Sequence, residues 1–286
     1  MRPVKKIIPS HLSGARLTSS RENRGALHNA LIESLGNYCS YCEMPLSDYH
    51  IEHIRYLAEW PEHATFSQWD DLLLICNDCR AHIRTPVLNE LSAASMLWPD
   101  KDPSFALKNS PLLYELKKVK YVVIDEDDER VSEENKELVF VVANPEAGQT
   151  LYQKAHNTIS HFQLNMKLEY YDAATNELRV PLPVHMERLD NRMFKRTAAW
   201  FDAEASASQL KEMNNILRRK ANSELLQNAF IQQLAMTTLY SGNWSVWMTV
   251  LYQRTKDAVL LGRILADDDR LRSGLNNDNN SVFRTE

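Results

Sequence analysis

Apolar positions at helical spacing mark the first element of the chain. Ala26, Leu27, Ala30, Leu31 and Leu35 recur every three to four residues, and Gly36 stands where a helix would stop. The pattern then shortens. Residues 50–54 are few and apolar-polar enough for a strand, a polar loop follows through Pro61 and His63, and the run 69–75 carries apolar residues into Cys76. A connecting region holds Pro86, Pro99, Pro103 and Pro111. Residues 119–124 and 138–142 predict an antiparallel pair, with the acidic stretch between them read as a long solvated loop. Helical character resumes over 150–164 and dominates after Pro183. There Leu189, Met193 and Trp200 share a face that Thr197 interrupts. Leu226, Phe230 and Leu234 form a cleaner stripe after a Ser223 cap. The turn at Ser241-Gly242-Asn243 precedes a helix bearing Trp244, Trp247, Leu251 and Val259. The tail from Asp267 reads as disordered, and no internal repeat is present.

These elements predict an α+β, mainly helical chain in five regions. They are a basic lead-in and helix (1–36), a cysteine-stapled module (37–85), a connecting region with a β-hairpin (86–185), a helical docking region (186–266) and the tail (267–286). With 286 residues there is enough chain for one large or two ordinary domains. Only seven glycines argue against a repetitive all-β architecture. The opening residues lack the apolar core of a signal peptide, and no apolar run is long enough to span a bilayer. The expected compartment is therefore a reducing cytoplasm, with no membrane partner.

A net charge of -5 hides local asymmetry. Residues 1–28 carry Arg2, Lys5, Lys6, Arg16, Arg21 and Arg24 against Glu22, and residues 125–137 are dominated by acids. Bases gather again at Arg188, Arg192, Lys195, Arg196, Lys211, Arg218, Arg219 and Lys220. Such patches either hold phosphates or are ordinary solvated faces.

The cysteines change the picture most. Cys39 and Cys42 form one C-x-x-C pair, Cys76 and Cys79 a second, and the chain has no other cysteine. Two such pairs have the spacing of one tetrahedral zinc site built from two knuckles. Two disulfides are the alternative use of four cysteines, and a reducing compartment favours zinc. Between the pairs lies Glu52-His53. Phosphodiester hydrolysis needs a metal to stabilise developing charge and a base to activate water. An imidazole titrates near neutrality, which suits His53 as base, and a carboxylate is a hard donor for Mg2+ or Mn2+, which suits Glu52 as ligand. Neighbours on an ideal strand point to opposite faces, so both serve one centre only if the strand twists or ends there.

Residues 36–46, then 51–54, then 69–79 resemble an HNH endonuclease of the ββα-metal class. The Met-Arg-Pro-Val-Lys-Lys opening and the overall layout, including residues 158–165 and 242–247, resemble more narrowly the PtuB-like HNH proteins of bacterial Septu and retron-linked antiphage systems. The resemblance implies a DNA or RNA substrate, a structural Zn2+ on Cys39, Cys42, Cys76 and Cys79, a catalytic Mg2+ or Mn2+, and an ABC-type ATPase partner. It also exposes departures. Asp71 stands where the family has asparagine, Ile83 where it has lysine, and Arg80 where a helix residue after the last cysteine normally ligates metal. A guanidinium has no lone pair to offer a cation. His82 is the nearest replacement ligand, and Arg80 then suits a phosphate. The competing expectation is a zinc-stabilised nucleic-acid or protein adaptor without catalysis.

Smaller candidates are His50 as ligand or surface histidine, His63 as a solvated loop residue, and Asp70 with Asp71 as ligands or caps. Trp200, Trp244 and Trp247 suit base stacking, a partner interface or the core.

Overall fold

The computed structural model describes residues 6, 21–46, 49–53, 69, 72–83, 95–102, 105, 109–127, 129–165, 170–182, 191–217 and 223–271. His63, Asp70, Asp71, Arg188, Leu189 and residues 218–222 lie outside this set, as do most of the basic lead-in and residues 272–286.

The described chain is α+β, with more helix than strand. Helix α1 (Arg21–Leu35) buries Leu27, Ala30, Leu31 and Leu35, the face its spacing predicts. Gly36 ends it at φ +90°, its amide donating to the Ile32 carbonyl at 2.7 Å. Strands β1 (Tyr49–His53) and β2 (Leu72–Cys76) pair antiparallel, and α2 (Asn77–Ile83) starts at the residue after β2. Leu72, Leu73, Leu74 and Ile75 are all buried, because α1 covers β2 as well as the hairpin partner.

A second sheet has the order β4-β3-β6-β5. Strands β3 (Leu112–Ile124) and β4 (Arg130–Ala143) form a hairpin much longer than the pattern predicts. Its register sets Val119 opposite Lys136, so the two apolar runs do not face each other. The acidic stretch is therefore strand from Arg130 onward, and the connection shrinks to residues 125–129. Cross-strand charge explains the difference. Lys120 pairs with Glu133 at 2.9 Å, Lys118 with Glu137 at 3.8 Å, and Lys136 lies 4.1 Å over the Tyr121 ring. Strands β5 (Tyr171–Asp172) and β6 (Glu177–Pro181) complete the sheet, β6 running parallel to β3.

Helices α3 (Gln149–His161), α4 (Arg192–Leu217), α5 (Ser223–Ser241), α6 (Trp244–Thr255) and α7 (Ala258–Leu271) make up the rest. Three expectations need correction. Helix α7 continues to Leu271, past the Asp267 where disorder was expected, because Leu260, Leu261 and Ile264 bury against its neighbours. Val259 belongs to α7 rather than α6 and is 74 % exposed. Leu226 is 52 % exposed, so the buried face of α5 is instead Ile231, Leu234, Ala235 and Thr238. The interruption at Thr197 has a reason: its hydroxyl accepts from the Val139 amide at 2.9 Å and donates to the Met193 carbonyl. With Asn165, which bonds both the amide and the carbonyl of Val141 at 2.7 Å, it covers the outer edge of β4.

One apolar cluster runs from Leu27 through the cysteines and β2 to Ile264, so the stapled hairpin and the helices share a core. Trp244 and Trp247 lie inside it at 2 % and 1 % exposure, with Phe105 edge-on to Trp244 at 5.2 Å. Trp200 is buried as well. These tryptophans are core residues; the stacking and interface roles are excluded by burial.

Candidate metal centre

Two local devices bring the cysteines together. In the first, residues 39–42 form a tight turn closed by bonds from the Cys39 amide to the Met44 carbonyl (2.8 Å) and from the Glu43 amide to the Cys39 carbonyl (3.0 Å). Tyr38 and Pro45 bridge beneath it. The Ser40 amide donates to the Leu74 carbonyl at 2.8 Å, which fixes this turn against β2. In the second, Cys76 ends β2 and Cys79 sits in the first turn of α2, its amide donating to Cys76 Sγ at 3.4 Å.

The four sulfurs lie within 4.8 Å of one another, and Cys42 Sγ is 3.6 Å from Cys76 Sγ. That is far longer than the ~2.05 Å of a disulfide. Tetrahedral ligation at a Zn–S distance of ~2.3 Å places sulfurs about 3.8 Å apart, so the cluster fits that ion. Electrostatics point the same way. Burial pushes the thiols of Cys42 and Cys79 well up. Burial also opposes ionisation of Cys39, but sulfur hydrogen bonds from Cys42, Cys76 and Cys79 outweigh it and hold that thiol well down. Four buried sulfurs ionise together only with a cation among them. A set of four sulfurs, with no oxygen or nitrogen donor joining it among the described residues, suits a structural zinc.

The surroundings lock the cluster to the rest of the fold. Tyr41 stacks on Phe162 at 3.9 Å between centroids, and burial foremost holds its phenol well above the usual range. Arg192 Nη1 lies 3.3 Å from Cys79 Sγ. Glu43, at φ +59°, turns its carboxylate onto the start of α6, where Oε2 accepts from the Ser245 amide at 2.8 Å and Oε1 from the Ser245 hydroxyl at 2.6 Å. Lys6 donates to the carbonyls of Trp69 (3.2 Å) and Leu72 (2.9 Å) and pairs with Asp100 at 2.8 Å, which anchors the entry to β2. None of these contacts was read from the sequence. The sequence reads Lys6, Arg192 and Arg196 as phosphate-holding or solvated bases, but all three are engaged inside the protein.

The backbone places the remaining candidates relative to the cluster. His53 stands opposite Leu72 and Glu52 opposite Leu73, and His53 is the last residue of β1. Tyr49 stands opposite Cys76, so His53 is four residues, roughly 13 Å, along the hairpin from the cysteine end. His50 pairs with Ile75. Arg80 and His82 lie on α2, which packs against both strands, and Arg80 is half-buried.

No protein-family model, curated protein or solved structure matches the chain.

Proposed function

We propose that this chain is a metal-dependent HNH endonuclease that hydrolyses phosphodiester bonds of DNA or RNA, built around a structural zinc on Cys39, Cys42, Cys76 and Cys79. The observation that carries the reading is the order of its elements. An antiparallel pair, Tyr49–His53 with Leu72–Cys76, runs without a connection into the helix Asn77–Ile83, and the four sulfurs gather at the end of the pair away from His53.

In this reading His53 is the general base that takes a proton from water. Glu52 and His82 hold Mg2+ or Mn2+, which supplies charge stabilisation at the scissile phosphate. Arg80 fits a phosphate oxygen through its fork of donors. The proposal extends, on the strength of the PtuB-like resemblance, to an effector subunit that works in the cytoplasm with an ABC-type ATPase against phage. Partner contacts then fall on the exposed face of α5 bearing Leu225, Met236 and Tyr240 rather than on the buried tryptophans.

A second reading is favoured by Arg80, which occupies a position where the resembled family ligates metal. It makes the chain a zinc-stabilised adaptor that binds nucleic acid or protein without cutting. Incubating the purified chain with single- and double-stranded DNA and RNA, with and without its neighbouring gene product, separates the two. Cleavage that requires Mg2+ or Mn2+ supports the nuclease; binding without cleavage in every combination supports the adaptor.

A further inference from the structure

Arg192 and Arg196, one turn apart on α4, are each about 1 % exposed and rank among the largest fully buried side chains. A guanidinium stays charged at any pH at which a protein folds, so each needs acceptors or counter-charge in the interior. Arg196 reaches neutral oxygens: Leu164 O at 2.9 Å, Val139 O at 3.2 Å and Asn165 Oδ1 at 3.4 Å. Arg192 reaches Phe162 O at 2.8 Å and Gln163 O at 3.0 Å, and its Nη1 also stands 3.3 Å from Cys79 Sγ. Of the two, Arg192 alone touches a cysteine sulfur.

That difference matters once the cluster is charged. Four thiolates around Zn2+ carry a net charge of two minus, buried beside α2 and the turn after α3. We infer that Arg192 is the outer-sphere donor of this centre: its buried charge offsets part of that excess, and its N–H orients the Cys79 sulfur. The hydrogen bond from the Cys79 backbone amide to Cys76 Sγ serves the same centre from within the second knuckle. Because Arg192 opens α4 and is also tied to the carbonyls of Phe162 and Gln163, zinc retention depends on the seating of α4 against the turn that follows α3. The metal site is thus completed by a residue 113 positions away in sequence. This inference rests on the zinc reading above.

The test compares full-length wild type with Arg192→Lys, Arg192→Gln and Arg196→Gln. The last controls for loss of an equally buried guanidinium that does not meet sulfur. Zinc is competed with a chromogenic chelator, and the cobalt-substituted forms are followed by their thiolate-to-cobalt charge-transfer band. Arg192→Gln is expected to weaken zinc retention on the order of 10–100-fold and to move the band to lower energy. Arg192→Lys should fall between it and wild type. Arg196→Gln should lower the melting temperature and leave zinc affinity and band in place. In cadmium-113-substituted wild type, a scalar correlation between the metal and the Arg192 guanidinium protons should appear, and this readout needs no variant to fold. Equal effects of the Arg192 and Arg196 variants on zinc, or the absence of that correlation, would overturn the inference while leaving the zinc site standing. Wild type that binds no stoichiometric zinc would remove the zinc reading itself and the inference with it.

Discussion

Replacing Glu43 perturbs a helix start two hundred positions further along the chain. The residue before α6, Asn243, makes no side-chain capping bond, and the Glu43 carboxylate supplies the cap from the first knuckle. Glu43 is buried and Ser245 fully so, which removes water as a substitute partner. A hydrogen bond to a charged group contributes roughly 1.5–3 kcal/mol, and each buried donor left without an acceptor costs about 1–3 kcal/mol. Losing two such bonds, less the desolvation no longer required of the carboxylate, sets the expected cost of Glu43→Ala at about 3 kcal/mol. At an unfolding entropy of ~2.1 cal/mol/K per residue this lowers the melting temperature by roughly 5 °C. Backbone geometry adds an internal control. At φ +59° a non-glycine residue costs about 1 kcal/mol, so Glu43→Gly should be the milder of the two truncations by that amount. In a double-mutant cycle with Ser245→Ala, the pair should couple by about 1 kcal/mol or more. Urea and thermal unfolding at fixed zinc concentration measure all four terms. A Glu43→Ala cost below ~0.5 kcal/mol, or additive single effects, would refute the long-range cap.

Two further outcomes follow from the same contacts. Cys39→Ser should cut bound zinc from one per chain to near zero by elemental analysis, and should destabilise the C-terminal helices as well as the hairpin, because they share one core. A new Cβ at Gly242 would lie 2.5 Å from the Glu43 carbonyl oxygen and 2.7 Å from Pro45 Cδ, at φ +71°. Gly242→Ala should therefore cost about 2–4 kcal/mol, from overpacking plus left-handed strain, as read by thermal unfolding.

What the sequence discloses here is mostly local. The α1 face repeats at helical spacing and stops at Gly36, and the two C-x-x-C pairs name their own geometry, so both are legible. The β3–β4 pair is legible as a pair but not in extent. An acidic run reads as loop until Lys118, Lys120 and Lys136 are placed across or beside it. Strands β5 and β6 are short, and β6 pairs parallel with a strand some fifty residues earlier, which no local pattern encodes. Trp244 and Trp247 show helical spacing under either role, and only the residues that cover them from elsewhere decide for the core. Glu43 and Arg192 escape for the same reason: each acts on a group more than one hundred positions distant.

The central claim is that the zinc staple and the reaction centre are separate parts of one hairpin. The most direct test of this proposal is the cleavage rate of His53→Ala in the presence of the proposed ATPase partner, with zinc content and melting temperature measured on the same sample. The account predicts cleavage lost, one zinc per chain retained, and a melting temperature within a few degrees of wild type. Cleavage by His53→Ala at the wild-type rate would contradict it and place the chemistry elsewhere.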